Sequence, residues 1–181
     1  MIRAASLAIG ISVLAWPATA GGFGKYSDKA EIRIGAGFYD TGPATRHAEN
    51  GGSFNAEFVL PSPEMFSGIG SPRPYVGVDF ANADHAISVG YAGLTWDYSL
   101  TDRLYVSGSL GGAVNNAKEI RHSQFTRNLG SNFGFHVGVT AGFDVTENVT
   151  AQAYLNHFSN AGLAKPNGGH ESTGVRLGYR F

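Results

Sequence analysis

The stretch SNFGFHVGVTAGFD, residues 131–144, limits what this chain can fold into more than any other. Phe133, Phe135, Val137, Val139, Ala141 and Phe143 alternate there with Gly134, His136, Gly138, Thr140 and Gly142. Period two is the mark of a strand with two unlike faces. One face is apolar throughout, and the other is small or polar with no Lys or Glu. A soluble sandwich would bury the apolar face and put charges on the opposite one, whereas a transmembrane barrel turns its apolar face to lipid and keeps small and polar groups inside. The barrel fits the pattern.

The same period recurs along the chain and predicts eight strands, at about 30–39, 52–60, 73–81, 85–98, 103–113, 131–143, 149–159 and 170–181. The fold class expected is therefore all-β, an eight-stranded antiparallel transmembrane barrel of the outer-membrane type, with both termini on one side. LTDRLYV and VTENVTA follow the fourth and sixth strands as matching Thr-acid-x-apolar turns, suited to the periplasmic side. Segments 40–51 and 114–130 are longer and should lie outside the cell. The connection 61–72 is long for a periplasmic turn and fits this scheme poorly. Phe181 ends the last strand behind Val175, Leu177 and Tyr179 on one face, which resembles the assembly signal of outer-membrane barrels.

Residues 1–20 read as a secretory signal peptide. Arg3 supplies the positive start, Ala4 to Trp16 the short apolar stretch, and Ala18 and Ala20 the small positions of a cleavage site. Residues 21–181 then form one β-barrel domain. Nowhere does the chain approach the roughly 18 uninterrupted apolar residues of a membrane helix. The formal net charge of −1 gives no reason to expect nucleic acid as a partner, and with no cysteine an exported chain must be held by packing and hydrogen bonds.

Parity singles out a polar trio near the C-terminus, in LNHFSNAGLAKPNGGHESTGVRLGYRF. Val149, Ala151, Ala153 and Leu155 define the lipid face of the seventh strand, and His157 and Ser159 continue that set. On the eighth strand the lipid face runs back from Phe181 through Val175 and Thr173 to Glu171. All three side chains should project from the outer wall at the extracellular rim. Residues two apart lie roughly 6–7 Å apart along a strand, and cross-strand neighbours roughly 4.5–5.5 Å apart, so a histidine at 157 can reach both others. That order suits Ser159 as nucleophile, His157 as base and Glu171 as orienting acid. The Asn160 amide and the backbone N–H of Gly162 are candidate donors to an oxyanion. The bland alternative is polar residues accommodated at a membrane interface, and spacing alone favours it.

The whole stretch HFSNAGLAKPNGGHES resembles the lipid A 3-O-deacylase family of the PagL type, in its His-x-Ser-Asn-Ala-Gly-Leu core, its Lys-Pro-Asn and its glutamate. The resemblance implies an outer-membrane serine esterase with its active site facing the outer leaflet. Such an enzyme hydrolyses the 3-hydroxyacyl chain ester-linked at the 3-position of lipid A, with no metal and no cofactor. It carries Ser159, His157 and Glu171 into the catalytic roles, and Asn160 and Gly162 less firmly into the oxyanion segment. Asn167 matches the family's loop without an assigned step, and His85 corresponds to a histidine of relatives, either supporting or touching substrate. His170 departs from the pattern, and parity turns it inward. Lipopolysaccharide is the implied substrate, the bacterial outer membrane the location, and monomer and homodimer both stay open.

Among other residues, His136 falls on the inward face, where a satisfied interior histidine is expected. His47 and His122 lie in external segments without partners at metal-ligand spacing. Arg46, Lys118, Arg121 and Arg127 fall in external segments too, as solvated charges or as contacts to lipid A phosphates. Trp96, Tyr98 and Tyr105 read as an interfacial aromatic belt. The alternative to an esterase is a small non-catalytic barrel with a structural or adhesive role. Cleavage after Ala20 predicts that protein purified from membranes begins at Gly21, and an intact Met1 by mass spectrometry would refute it.

Overall fold

In the computed structural model the alternation closes on itself. The structure describes residues 21–44, 50–82, 86–117, 129–165 and 168–181. After a two-residue strand β1 (Gly22–Phe23) come β2 (Glu31–Tyr39), β3 (Gly52–Val59), β4 (Arg73–Asn82) and β5 (Val89–Ser99). Four more follow: β6 (Leu104–Asn115), β7 (Phe133–Asp144), β8 (Val149–Ser159) and β9 (His170–Arg180). Consecutive strands from β2 to β9 pair antiparallel, β2 also pairs with β9, and β1 pairs with the end of β5, so eight strands form a closed barrel. Closure satisfies every strand edge, which a lipid-embedded sheet requires.

The predicted boundaries agree within a few residues, except that the fourth barrel strand starts at Val89 and not near 85. The outer face carries Ile32, Ile34, Phe54, Val76, Phe80, Leu110, Phe135, Val139, Val175 and Leu177, all exposed. Connections 100–103 and 145–148 lie at the same end as the chain termini, and they are built alike. Thr101 Oγ1 accepts from the Arg103 and Leu104 N–H groups, and Thr146 Oγ1 from those of Asn148 and Val149. The long 60–72 connection shares this end. It contains a 3-10 helix, Glu64–Ile69, and is tied down where the Ser62 N–H meets the Ser27 carbonyl and the Trp96 indole N–H meets the Ile69 carbonyl, at 2.7 and 2.9 Å. An ordered tuck, not a misplaced strand, accounts for its length.

The lumen is far more ionic than the glycine-rich seventh segment suggested. Arg33 bridges Glu31 and Glu57, Arg73 bridges Glu31 and Asp97, Arg176 meets Glu57 at 2.7 Å, and Arg180 meets Asp144 at 2.7 Å. Polar neighbours satisfy further donors of Arg176. Arg176 also donates to Gln152, Thr140 and Asn55, and Gln152 donates to Glu31. Charges taken out of water are expensive unless paired and hydrogen-bonded, and this network pairs them through side chains from neighbouring and next-but-one strands. Tyr105 belongs to this interior and not to the aromatic belt: it is buried, its hydroxyl lies 3.0 Å from Thr150 Oγ1, and its ring packs on Tyr26. The belt reading holds for Trp96 and Tyr98, which share the outer face of β5. Tyr26 closes the turn end of the barrel, its hydroxyl donating to Asp144 at 2.7 Å and its ring under the Arg180 guanidinium.

Removing one partner of such a network strands a buried charge. Arg176→Leu is expected to lower the unfolding free energy by about 3 kcal/mol or more. Urea unfolding in lipid vesicles, followed by Trp96 fluorescence, measures it, and an unchanged midpoint would show that the network does not hold the barrel.

Candidate active site on the outer wall

Register brings the polar trio together. In the β8–β9 pairing His157 lies directly opposite Glu171, and in the β7–β8 pairing Ser159 lies opposite Phe135 and His157 opposite Val137. His157 Nδ1 is 3.3 Å from Glu171 Oε1, and His157 Nε2 is 3.2 Å from Ser159 Oγ. The imidazole therefore sits between hydroxyl and carboxylate on the outside of the wall, at the end opposite the short turns. These contacts are slightly long for hydrogen bonds.

The three differ in exposure, which parity alone could not show. The side chain of His157 is 27% exposed and that of Glu171 only 1%. Glu171 projects outward as expected, yet residues 41–44 lie over it: the Ala44 N–H donates to Glu171 Oε2 at 2.9 Å and the Thr41 N–H to the Glu171 carbonyl at 3.0 Å. The acid is shielded by its own protein rather than facing lipid.

Behind the pair stands Phe158, the inward residue between them. Its ring stacks between His136 and His170, with centroids 5.0 Å away on each side, and meets Tyr91 at 5.4 Å. His136 is held in turn, with Nδ1 2.6 Å from the Tyr75 hydroxyl and Nε2 3.0 Å from Asn156 Oδ1. His170 is buried inside against Phe158 and Tyr39. An inward aromatic locked on both faces leaves the backbone carrying His157 and Ser159 little freedom.

Asn160 and Gly162 form the turn after Ser159. The Asn160 amide donates to the Leu129 carbonyl at 2.7 Å and the Ala164 carbonyl at 3.0 Å, while its Oδ1 accepts the Gly162 N–H at 2.8 Å. Both groups named as oxyanion donors are thus engaged, the Gly162 N–H within the turn and the Asn160 amide both within it and with the segment before β7. Ala161 and Gly162 have φ of 52° and 82° in succession, a left-handed bend that glycine accepts without strain. Gly169 leans over the site, with a Cβ there placed 3.4 Å from His157 Cε1 and from the Ser159 Cβ. His85 and Asn167, like His47, His122, Arg46, Lys118, Arg121 and Arg127, lie outside the described residues. The cover over Glu171 and the Phe158 stack were missed from sequence. Glycine at 42 and the aromatic between His157 and Ser159 were the available signals.

Fold and site define an outer-membrane β-barrel whose polar constellation is built on its lipid-facing wall. The profile of the family described as Lipid A 3-O-deacylase (PagL) matches residues 74–180. The chain belongs to this family of outer-membrane hydrolases. Among solved structures it is similar to the crystal structure of the outer-membrane enzyme PagL, with TM-score 0.55, 18% identity, and coverage of 83% of this chain and 98% of that one. The Yersinia pestis outer-membrane protein Ail gives 0.50 at 13% identity, covering 85% and 99%. Neisserial surface protein A gives 0.53 at 12% identity, covering 90% and 100%. At these identities the structures share the barrel fold and nothing finer. No individually curated protein matches the sequence.

If Phe158 anchors β8, Phe158→Ala should cost about 3–5 kcal/mol of stability through the cavity it leaves. The same urea titration reads it, and a loss below about 1 kcal/mol would mean that the stack is dispensable.

Proposed function

We propose that this protein is a serine esterase that removes the 3-hydroxyacyl chain ester-linked at the 3-position of lipid A, acting from the outer leaflet. The observation that carries the reading is the histidine suspended between Ser159 Oγ and Glu171 on the outer wall, in a chain of the lipid A 3-O-deacylase family. His157 Nε2 takes the Ser159 proton as Oγ attacks the ester carbonyl. Glu171 accepts from Nδ1–H, which leaves Nε2 free as the base, and balances the imidazolium that forms. Collapse of the tetrahedral intermediate expels the sugar oxygen, which takes the proton back from His157. Water then repeats the sequence on the acyl-enzyme and releases a free 3-hydroxy acid. No metal or cofactor enters these steps.

Oxyanion donors are assigned to the 160–162 turn. Its Gly162 N–H exchanges Asn160 Oδ1 for the developing charge, and Asn160 holds the bend. Asn167 and His85 are supporting residues with no step of their own. The acyl chain has a place to lie: below Leu155 and Thr173 a groove of about 560 Å³ runs down the outer wall, lined by Ile34, Ala151, Ala153, Val175 and Leu177. Lipid A stands in the outer leaflet with its chains parallel to that wall, so the ester can approach sideways from the bilayer. One chain supplies every group in this scheme, so each copy of a homodimer would carry its own complete site.

Expression in a host with intact lipid A should remove one 3-hydroxyacyl group, seen by mass spectrometry of the extracted lipid. Ser159→Ala should reduce release by at least about 10³-fold while keeping the heat-modifiable mobility of a folded barrel. Unaltered lipid A beside a folded wild-type barrel would favour a structural or adhesive role instead.

A further inference from the structure

The mechanism above leaves one contact unexplained. Residues 41–44, just past β2, cross over to β9 and settle on Glu171. Their attachment is polar and local. The Thr173 hydroxyl donates to the Thr41 carbonyl at 2.6 Å, the Thr41 N–H to the Glu171 carbonyl at 3.0 Å, and the Ala44 N–H to Glu171 Oε2 at 2.9 Å. Asp40, at φ 53° and fully buried, makes the bend that directs the chain there.

Gly42 lies over the carboxylate so closely that a Cβ on it would fall 2.3 Å from Glu171 Oε2, 2.6 Å from Cδ and 2.7 Å from the Glu171 Cβ. These are distances that real side chains do not reach. Either the strap or the acid must move for any other residue to stand at position 42. The Ala44 bond meanwhile occupies Oε2 and leaves Oε1 directed at His157. A carboxylate on the outer face of a membrane barrel is costly without such cover, because lipid offers it no hydrogen bonds.

We infer that the strap 41–44 is a positioning element for the acid of the triad, with Gly42 and Ala44 as positioning residues that aim Glu171 at His157 and exclude lipid from it. The inference rests on the triad reading. It goes beyond that reading in making residues 41–44, and not only β8 and β9, part of the catalytic apparatus. A displacement of the order of 1 Å in a positioning group can cost about 10²-fold in rate, and that is the scale a methyl at position 42 imposes.

The test uses the full-length mature protein in detergent micelles with lipid A as substrate, with released 3-hydroxy acid quantified by mass spectrometry. Gly42→Ala should lower kcat about 10- to 100-fold with KM within about twofold, because the strap acts through the carboxylate it covers. Gly52→Ala, where a Cβ meets nothing closer than 3.9 Å, should behave as wild type. In a Glu171→Ala background, Gly42→Ala should cost less than about a further twofold, since it acts through a carboxylate already gone. Wild-type kcat in Gly42→Ala, or the same fractional loss with and without Glu171, overturns the inference. Should Gly42→Ala lose the folded barrel's mobility, Thr173→Val, which unhooks Thr41, replaces it under the same criteria. Ser159→Ala separates the two readings: continued release from that variant sinks the esterase mechanism itself, whereas an inactive Ser159→Ala beside an undisturbed Gly42→Ala sinks only the strap.

Discussion

Backbone hydrogen bonding in a medium without water governs this molecule. A strand in lipid cannot leave an edge unpaired, so the eight strands close, and closure requires β2 to meet β9 in a fixed register. Once that register is set, each residue faces either lipid or lumen, and a slip of one position would exchange the two sets. The site inherits its geometry from this requirement. His157 faces Glu171 because β8 and β9 are locked in the ladder that also pairs Ala153 with Val175 and Val149 with Tyr179.

The lumen makes that lock rigid. Four arginines, Arg33, Arg73, Arg176 and Arg180, reach across to carboxylates on other strands, so adjacent walls are tied by side chains as well as by ladders. Higher in the barrel the ties become aromatic. Phe158 between His136 and His170 joins β7, β8 and β9 at the level of the site. The trio stands on the outer wall, and order reaches it from behind, through the inward residues that alternate with His157 and Ser159. On the outside the strap at 41–44 covers Glu171.

Much of this was readable in the residues. Strand number, strand direction, the paired Thr-acid turns and the shared outer face of His157, Ser159 and Glu171 all follow from period two, because a β-strand has only two faces and parity propagates without error along an unbroken run. The same parity places Arg33 beside Ile32 and Ile34, and Arg176 beside Val175 and Leu177, as inward charges. Attention to one glycine-rich strand hid that. Tyr105 shows a different failure. An aromatic near a strand end fits a belt by composition, yet its parity with Ser107 and Ser109 turns it inside.

What the sequence by itself determined is local and periodic: which residues form strands, which face each side chain takes, and that two strand ends bring a hydroxyl, an imidazole and a carboxylate within reach. Tertiary structure alone decided the burial of Glu171, the bond of the Asn160 amide to the distant Leu129 carbonyl, and the pairing of charges in the lumen. Those depend on where loops and next-but-one strands arrive in space. Alternation carries no information about such contacts, because they join residues such as Ala44 and Glu171 that only closure of the barrel makes neighbours.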